Sequence, residues 1–193
     1  MDFFEQLKQE CSLCARCGLG ATRTNLVFGT GNEHSDIVFV GEGPGEKEDL
    51  QGIPFVGPAG QLLDTMLKLI GLRREDVYIC NIVKCRPPHN RIPTPEEAEA
   101  CKIHLRMQTY LVRPRVILLL GATAAKGVLG DQVRITRDRG IWTERKGVWI
   151  MPTYHPSALL RDPAKKSEAW EDLKQVRRKL TELGLYTDLL KEE

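Results

Sequence analysis

Residues 36–45 read DIVFVGEGPG, a short apolar run that passes directly into a glycine-rich turn. Four consecutive apolar side chains are typical of a strand that is covered on both faces of a parallel sheet. The glycines of the turn allow a ligand to approach the backbone closely, and Pro44 restricts the turn. The turn is neither a Walker A loop nor a GxGxxG dinucleotide site, so alone it indicates a binding loop no more strongly than a plain tight turn.

Three more apolar runs, at residues 77–83, 116–120 and 148–154, predict strands. Amphipathic or capped segments predict helices at residues 61–70, after Thr94, at residues 122–129 and at residues 167–183. Strands that alternate with helices predict one α/β domain over the whole chain. We expect three α/β/α layers around a central, mainly parallel, four-stranded sheet.

The composition is that of a globular protein. The 193 residues suit one domain, and 41% hydrophobic with 28% charged residues excludes a disordered chain. No apolar run approaches the roughly 20 residues that span a bilayer, and the N-terminus lacks the apolar stretch of a signal peptide. We therefore expect a soluble, cytoplasmic protein with no membrane partner. The net charge of +2 requires any nucleic-acid surface to be a local basic patch.

Polar segments follow three of the predicted strands. GEGPG occupies residues 41–45, KCRPPHNR residues 84–91 and HPSALLR residues 155–161. In an open α/β sheet, ligands bind in the crevice beyond the carboxyl ends of the strands. We therefore expect the three segments to converge on one crevice that holds the active site.

Three side chains near this crevice have both a structural and a functional interpretation. Phe55, in the segment GIPFVGPAG, is either a plug over the core or a platform for a planar ligand. Asn81 interrupts an apolar strand, so its amide either bonds a neighbouring loop or reads the edge of a base. His155 either bonds a loop carbonyl or projects into the crevice, because Pro156 favours an extended backbone before it.

Five of the six cysteines are candidates for a metal site. Cys11, Cys14 and Cys17 form two overlapping C-x2-C pairs, and Cys85 and Cys101 lie further along the chain. Four thiolates would bind either zinc or an iron–sulfur cluster, and the spacing does not distinguish the two. The sixth cysteine lies inside the second predicted strand and is a small core residue.

Four motifs in a fixed order resemble one family. GEGPGEKED, GIPFVGPAG, CNIVKCRPPHNRIPTPEEAEAC and HPSALLR are similar to the signature of the family 4 uracil-DNA glycosylases, and the similarity extends from about Cys14 to Leu180. The resemblance implies the uracil-DNA glycosylase fold and an enzyme of base-excision repair. Such an enzyme hydrolyses the N-glycosidic bond of deoxyuridine, in single strands or after flipping it from a U·G or U·A duplex, and leaves an abasic site.

The resemblance also implies a cofactor. In the family, the second cysteine of the N-terminal C-x2-C lies six residues before an Arg-Thr pair, which here begins at Arg23. This register leaves Cys11 as an extra thiol. The resemblance implies a [4Fe–4S] cluster that ties down the N-terminal segment, with the ligands Cys14, Cys17, Cys85 and Cys101.

The implied base pocket uses the three ambiguous side chains. Phe55 would stack on uracil, Asn81 would read its edge and His155 would stabilise the departing base. The backbone that lines the pocket would be that of Gly41, Glu42 and Gly43. A related family has a water-orienting aspartate where this sequence has a glycine, which leaves Glu42 as the candidate for water activation.

DNA contacts are expected on the loops around the pocket. Leu159 or Leu160 would wedge into the stack that a flipped nucleotide leaves. The residues expected to contact phosphates are Arg86, Arg91, Ser157 and Arg161. We expect a monomer that acts inside a bacterial or archaeal cell.

Two alternatives belong to other functional classes. One is a uracil-DNA-binding protein without turnover. The other is an iron–sulfur redox protein, for which the four cysteines alone would suffice. The redox alternative leaves Phe55, Asn81 and the HPSALLR segment without a role.

Overall fold

The computed structural model describes residues 2–189 as a mixed α/β protein. Its strands are β1 (Thr30–Gly31), β2 (Ile37–Gly41), β3 (Tyr78–Asn81), β4 (Val116–Leu120), β5 (Thr143–Arg145) and β6 (Val148–Thr153). Its α-helices are α1 (Phe3–Ser12), α2 (Leu19–Thr22), α3 (Glu46–Gln51), α4 (Pro58–Leu69), α5 (Pro95–Val112), α6 (Ala122–Leu129), α7 (Ile135–Asp138), α8 (Pro156–Arg161) and α9 (Lys166–Glu182). Short 3₁₀ turns lie at Arg74–Asp76, Pro88–Asn90 and Pro163–Lys165.

The strands form one six-stranded sheet in the order β1-β3-β2-β4-β6-β5. The four inner strands are parallel, and they are the four that the sequence predicts. The outer strands β1 and β5 pair antiparallel with β3 and β6. The α/β class is therefore confirmed, but the predicted count of four strands is wrong. Both additional strands are two or three residues long and are not buried, so they carry no apolar run that a sequence pattern would detect.

Helices cover both faces of the sheet, because alternate residues of a strand point to opposite sides. In β4, Ile117 and Leu119 pack in a core with residues of α1, α5 and α6. Val116 and Leu118 pack in a second core with residues of α4 and α9. The arrangement is therefore the expected three layers.

The cap of α5 explains where this helix begins. The Thr94 hydroxyl accepts a hydrogen bond from the N–H of Glu97 at 3.2 Å, and the Glu97 carboxylate accepts one from the N–H of Thr94 at 2.9 Å. Pro95 occupies the first helical position, where its missing N–H costs nothing. Among residues 2–189, no helix is long and apolar enough to cross a membrane.

A buried carboxylate on α9 fixes the end of β6. The side chain of Asp172 is fully buried and accepts hydrogen bonds from the Thr153 hydroxyl at 2.6 Å and from the Arg139 guanidinium at 2.7 and 2.9 Å. Thr153 is the last residue of β6, two positions before His155. The network therefore supports the segment that carries HPSALLR.

Replacement of Asp172 by alanine is expected to destabilise the fold by about 1–3 kcal/mol, because the buried Thr153 hydroxyl loses its acceptor and the Arg139 guanidinium is left with its contacts to Glu168. The measurement is urea unfolding followed by circular dichroism. Glu171→Ala is the matched control, since this carboxylate on the same helix pairs with Lys174 at the surface. Equal loss of stability in the two variants would contradict the supporting role.

Candidate active site

A cavity of about 340 Å³ lies at the carboxyl edge of the sheet, where the loops after β2, β3 and β6 meet. Its volume falls in the range of roughly 300–1,000 Å³ that is typical of small-ligand pockets. The predicted site residues that line it are Glu42, Gly43, Phe55, Asn81, Arg91, His155, Ser157 and Arg161. The structure thus brings the three polar segments to one crevice.

Phe55 and His155 form a stacked pair on the cavity wall, with ring centroids 5.5 Å apart and ring planes at 27°. The Phe55 backbone has a φ of 56°, in the left-handed region that large residues rarely adopt. Two glycines permit this placement. A Cβ on Gly41 would lie 2.6 Å from Phe55 Cζ, and a Cβ on Gly60 would lie 1.7 Å from the Phe55 carbonyl oxygen. Phe55 is 5% exposed, so it closes the core and walls the cavity at once.

Asn81 ends β3 with its amide buried at the cavity. Its Oδ1 has no hydrogen-bond partner among the described residues, and a Cβ on Gly41 would lie 2.4 Å from it. A buried acceptor without a donor costs about 1–3 kcal/mol. The oxygen therefore does not serve a neighbouring loop and is free to accept a donor from a ligand.

His155 is held as a neutral ring in a defined tautomer. Its Nδ1 accepts a hydrogen bond from the backbone N–H of Ser157 at 3.1 Å and lies 2.8 Å from the Ser157 hydroxyl. The proton of the neutral imidazole therefore lies on Nε2. Burial, followed by the charge of Arg161, lowers the pKa of His155 to about 4, against an opposing effect of Glu48. At neutral pH the ring is thus an uncharged N–H donor.

Glu48, on α3, is a positioning residue that the motif analysis missed. Its carboxylate accepts hydrogen bonds from the N–H of Gly45 at 3.1 Å and from the N–H groups of Val56 and Gly57 at 2.9 Å. It thereby joins the GEGPG turn to the loop that carries Phe55. The signal in the sequence is a glutamate three residues after a glycine, the spacing of a capping box.

Glu42 lines the cavity and also contacts α6. One oxygen of its carboxylate accepts a hydrogen bond from the Thr123 hydroxyl. This contact fixes the carboxylate at the cavity wall. Its role in water activation stays a prediction.

The two arginines after β3 are engaged in local contacts. Arg86 donates a hydrogen bond to Asn90 Oδ1 at 2.8 Å, and Arg91 forms two hydrogen bonds with the Glu97 carboxylate at 2.7 and 2.8 Å. Arg91 lines the cavity together with Arg161. Any contact of Arg86 or Arg91 with phosphate would compete with these partners.

The structure separates the two leucines of HPSALLR. Leu159 is 2% exposed and packs in the core beneath α8, so the prediction that it contacts DNA is wrong. Its neighbour Leu160 is 45% exposed. A six-residue helix with one apolar face explains this difference, since adjacent positions on a helix point in different directions.

The four predicted cluster ligands are free thiols. Cys85 and Cys101 are buried, and each sulfur accepts a hydrogen bond. Arg23 Nη1 donates to Cys85 Sγ at 3.1 Å, and the backbone N–H of Lys84 donates to Cys101 Sγ at 3.4 Å. Arg23 is the first residue of the Arg-Thr pair on which the expected choice of Cys14 and Cys17 rests.

The two buried thiols have raised pKa values. Burial raises the pKa of Cys101 to about 11, with opposing effects of Lys84 and further raising effects of Cys85 and Cys17. Burial likewise raises the pKa of Cys85, against the lowering effects of the Arg23 hydrogen bond and charge, and Cys17 and Cys14 add smaller raising effects. The described residues contain no group of three or more His, Cys, Asp or Glu that could hold a single metal ion.

The chemistry of these four cysteines fits an iron–sulfur cluster. Thiolates ligate such clusters, and N–H donors to the ligand sulfurs, as at Cys85 and Cys101, are typical of them. In addition, His104 Nε2 is buried without a hydrogen-bond partner three residues after Cys101 on α5. Cys11 is also buried in this region and is coupled to the same thiols.

A mainly parallel sheet has a pocket at its carboxyl edge, and a stacked aromatic pair and an unpartnered amide oxygen line this pocket. These features define an α/β protein suited to a flat, polar ring. Comparison with known proteins gives the family. The sequence model of the uracil DNA glycosylase superfamily matches residues 28–174. The chain belongs to the uracil DNA glycosylase superfamily.

Its relatives include type-4 members of that superfamily. The type-4 uracil-DNA glycosylase of Thermotoga maritima is 52% identical over 165 residues, which cover 83% of this chain and 85% of that protein. The type-4 enzyme of Archaeoglobus fulgidus is 47% identical over 184 residues, covering 91% and 92%. That of Sulfurisphaera tokodaii is 42% identical over 186 residues, covering 92% and 84%. The resemblance to family 4 is therefore confirmed.

The neutral state of His155 gives a pH prediction. Because its pKa lies near 4 rather than 6.5, the ring does not change charge between pH 8 and about pH 5.5. The single-turnover rate of uracil release is therefore expected to show no inflection near pH 6.5. Below about pH 5 it should fall, because a proton on Nδ1 removes the acceptor of the Ser157 N–H. An inflection near pH 6.5 that histidine NMR attributes to His155 would contradict the conclusion that this ring is neutral down to about pH 5.5.

Proposed function

We propose that the protein is a monofunctional uracil-DNA glycosylase of base-excision repair. It hydrolyses the N-glycosidic bond of deoxyuridine in DNA, releases uracil and leaves an abasic site. The observation that carries this proposal is the buried, unpartnered Oδ1 of Asn81 in the same cavity as the neutral ring of His155. The names of the type-4 relatives point to the same reaction.

Recognition of uracil rests on the amide of Asn81. Uracil presents an N–H at N3 and a carbonyl at O4, which match the oxygen and the NH2 of one amide. Cytosine presents an acceptor and a donor at these positions, so its binding would leave buried polar groups unpaired. Phe55 stacks on the base, and the backbone of Gly41 to Gly43 borders it.

Catalysis rests on the charge that leaves with the base. As the glycosidic bond breaks, the sugar becomes oxocarbenium-like and negative charge develops on uracil O2. The Nε2–H of His155 donates to this oxygen, and one preorganised donor of this kind contributes roughly 3–4 kcal/mol. Early bond cleavage lowers the demand for a strong base, which suits the glycine at position 43. Glu42 is the candidate to orient the water.

DNA reaches the cavity as a flipped nucleotide or a single strand. Unstacking costs a few kcal/mol, and least at a mismatch. Leu160, exposed on α8, is the residue placed to fill the vacated stack. Ser157 and Arg161 border the cavity mouth, while Arg86 and Arg91 lie on the loop after β3. We infer that the protein acts as a monomer in the cytoplasm, where its substrate is found.

The cofactor of this proposal is a [4Fe–4S] cluster. Its ligands are Cys14, Cys17, Cys85 and Cys101. When bound, the cluster supplies a structural cross-link between the N-terminal segment, the loop after β3 and α5. It would thereby hold the N-terminal segment to the rest of the single domain and fix the loop around Arg86 and Arg91. Arg23 donates to one ligand sulfur and offsets its negative charge.

The first test is uracil release from a labelled, uracil-containing oligonucleotide in EDTA, followed by alkaline cleavage of abasic sites. The protein is expected to release many equivalents of uracil per chain. His155→Ala is expected to lower the single-turnover rate by roughly a hundredfold or more, through loss of the donor to O2, while DNA affinity changes little.

The same assay decides among the functional classes. Release that stops at one equivalent would favour a binding protein, and no release by folded, cluster-loaded protein would favour a redox role. Equal losses of DNA affinity and of rate in His155→Ala would contradict the role of His155 in the chemical step.

A second test concerns Asn81. Asn81→Asp is expected to lower the single-turnover rate on deoxyuridine by about tenfold or more, since a carboxylate cannot donate to O4. Selectivity for uracil over cytosine, measured on matched oligonucleotides, should fall with it. Asn90→Asp, which alters another amide of the cavity wall, is the matched comparison. Unchanged selectivity in Asn81→Asp would reject the reading role.

A further inference from the structure

Lys84 is a lysine whose side chain is completely buried. It is 0% exposed and lies in the loop after β3, between Asn81 and Cys85. Its ammonium donates a hydrogen bond to the backbone carbonyl of Asn81 at 2.7 Å. Its backbone N–H donates to Cys101 Sγ at 3.4 Å, and its carbonyl accepts from the N–H of Val27 at 2.9 Å. Lys84 thus contacts both Asn81, at the end of β3, and Cys101, one of the proposed cluster ligands.

The buried ammonium requires a negative partner. Within the described part of the chain, Lys84 belongs to no ion pair with a carboxylate. An unpaired charge in the interior costs several kcal/mol, so lysine is rarely retained there without compensation. The groups around it are thiols. Its side chain is in hydrogen-bond contact with Cys80, its backbone N–H donates to Cys101 Sγ, and Cys85 follows it in the chain.

We propose that Lys84 is the internal counter-charge of the iron–sulfur cluster and, through its hydrogen bond to Asn81, the positioning residue that links the cluster to uracil recognition. The inference rests on the cluster of the proposed function. Four thiolates give such a cluster a net negative charge, which compensates the ammonium. In return, the ammonium holds the carbonyl of Asn81 at the point where β3 ends and the amide enters the cavity.

This linkage explains why the residue is a lysine. A neutral side chain of similar length would fill the same space but would neither offset thiolate charge nor hold the Asn81 carbonyl. The coupling between the cluster and Asn81 is reciprocal. If the bound cluster favours the position of Lys84 that holds Asn81, this position of Lys84 also favours the bound cluster. Removal of the charge should therefore be detected both in the cluster and in the rate of uracil release.

The experiment compares Lys84→Met with Lys102→Met in otherwise complete, cluster-loaded protein. Lys102 is the matched control, since it also adjoins a cluster ligand in sequence but pairs with Glu99 near the surface. Four quantities are measured: iron per chain, the reduction potential of the cluster, the rate of iron loss to a chelator, and the single-turnover rate of uracil release as a function of DNA concentration.

Lys84→Met is expected to shift the reduction potential to more negative values, because loss of a nearby positive charge disfavours reduction. Iron loss should be faster, and the single-turnover rate should fall about tenfold or more with little change in half-saturating DNA. Lys102→Met should resemble the wild type in all four quantities. Lys84→Gln, a smaller neutral variant, is measured beside Lys84→Met so that the outcome does not depend on one variant folding.

The outcomes separate this inference from the proposed function. A folded Lys84→Met or Lys84→Gln protein with the potential of the wild type would overturn the counter-charge role, even if its melting temperature fell. An unchanged uracil-release rate would overturn the positioning role. Wild-type protein without iron would overturn the cluster and the inference together, whereas iron-loaded wild type without uracil release would contradict the proposed function alone.

Discussion

The pairing of β2 with β3 continues beyond both strands, and the cavity depends on it. The N–H of Ile82 donates to the carbonyl of Gly41 at 2.9 Å, and the N–H of Val83 donates to that of Glu42 at 3.2 Å. These bonds hold the glycine-rich turn against the two residues that follow Asn81. Asn81, the proposed base reader, and the backbone of the glycine-rich turn are therefore parts of one hydrogen-bonded unit, whose geometry the buried parallel strands fix.

Close approach of the chain to itself is the second constraint. A side chain on Gly41 would meet both Asn81 Oδ1 and the Phe55 ring, and one on Gly121 would meet His155 Cβ at 2.9 Å. The glycines are thus required by contacts between protein groups before any ligand enters. Contacts within the protein therefore require glycine at these two positions.

The sequence predicted the parts of the fold that depend on continuous apolar runs, and the four inner strands followed from them. It could not predict the two edge strands, since Thr30–Gly31 and Thr143–Arg145 are defined by their partners. Motif order identified most residues of the cavity wall. Glu48 was missed because its role arises from three backbone N–H groups, and Leu159 was misplaced because only the orientation of α8 separates it from Leu160.

The site keeps polar groups that the fold alone would not favour. Asn81 Oδ1 is buried without a partner, His155 is held uncharged, and the ammonium of Lys84 lies in the interior. The unpartnered amide oxygen and the buried ammonium cost stability in the isolated chain, and the proposed function gives each a partner: a base edge for Asn81 and a thiolate cluster for Lys84. The surrounding sheet and its two apolar cores offset these costs. Stability is therefore concentrated in the apolar layers, and the carboxyl edge keeps the polar groups to which we assign the binding of a ligand.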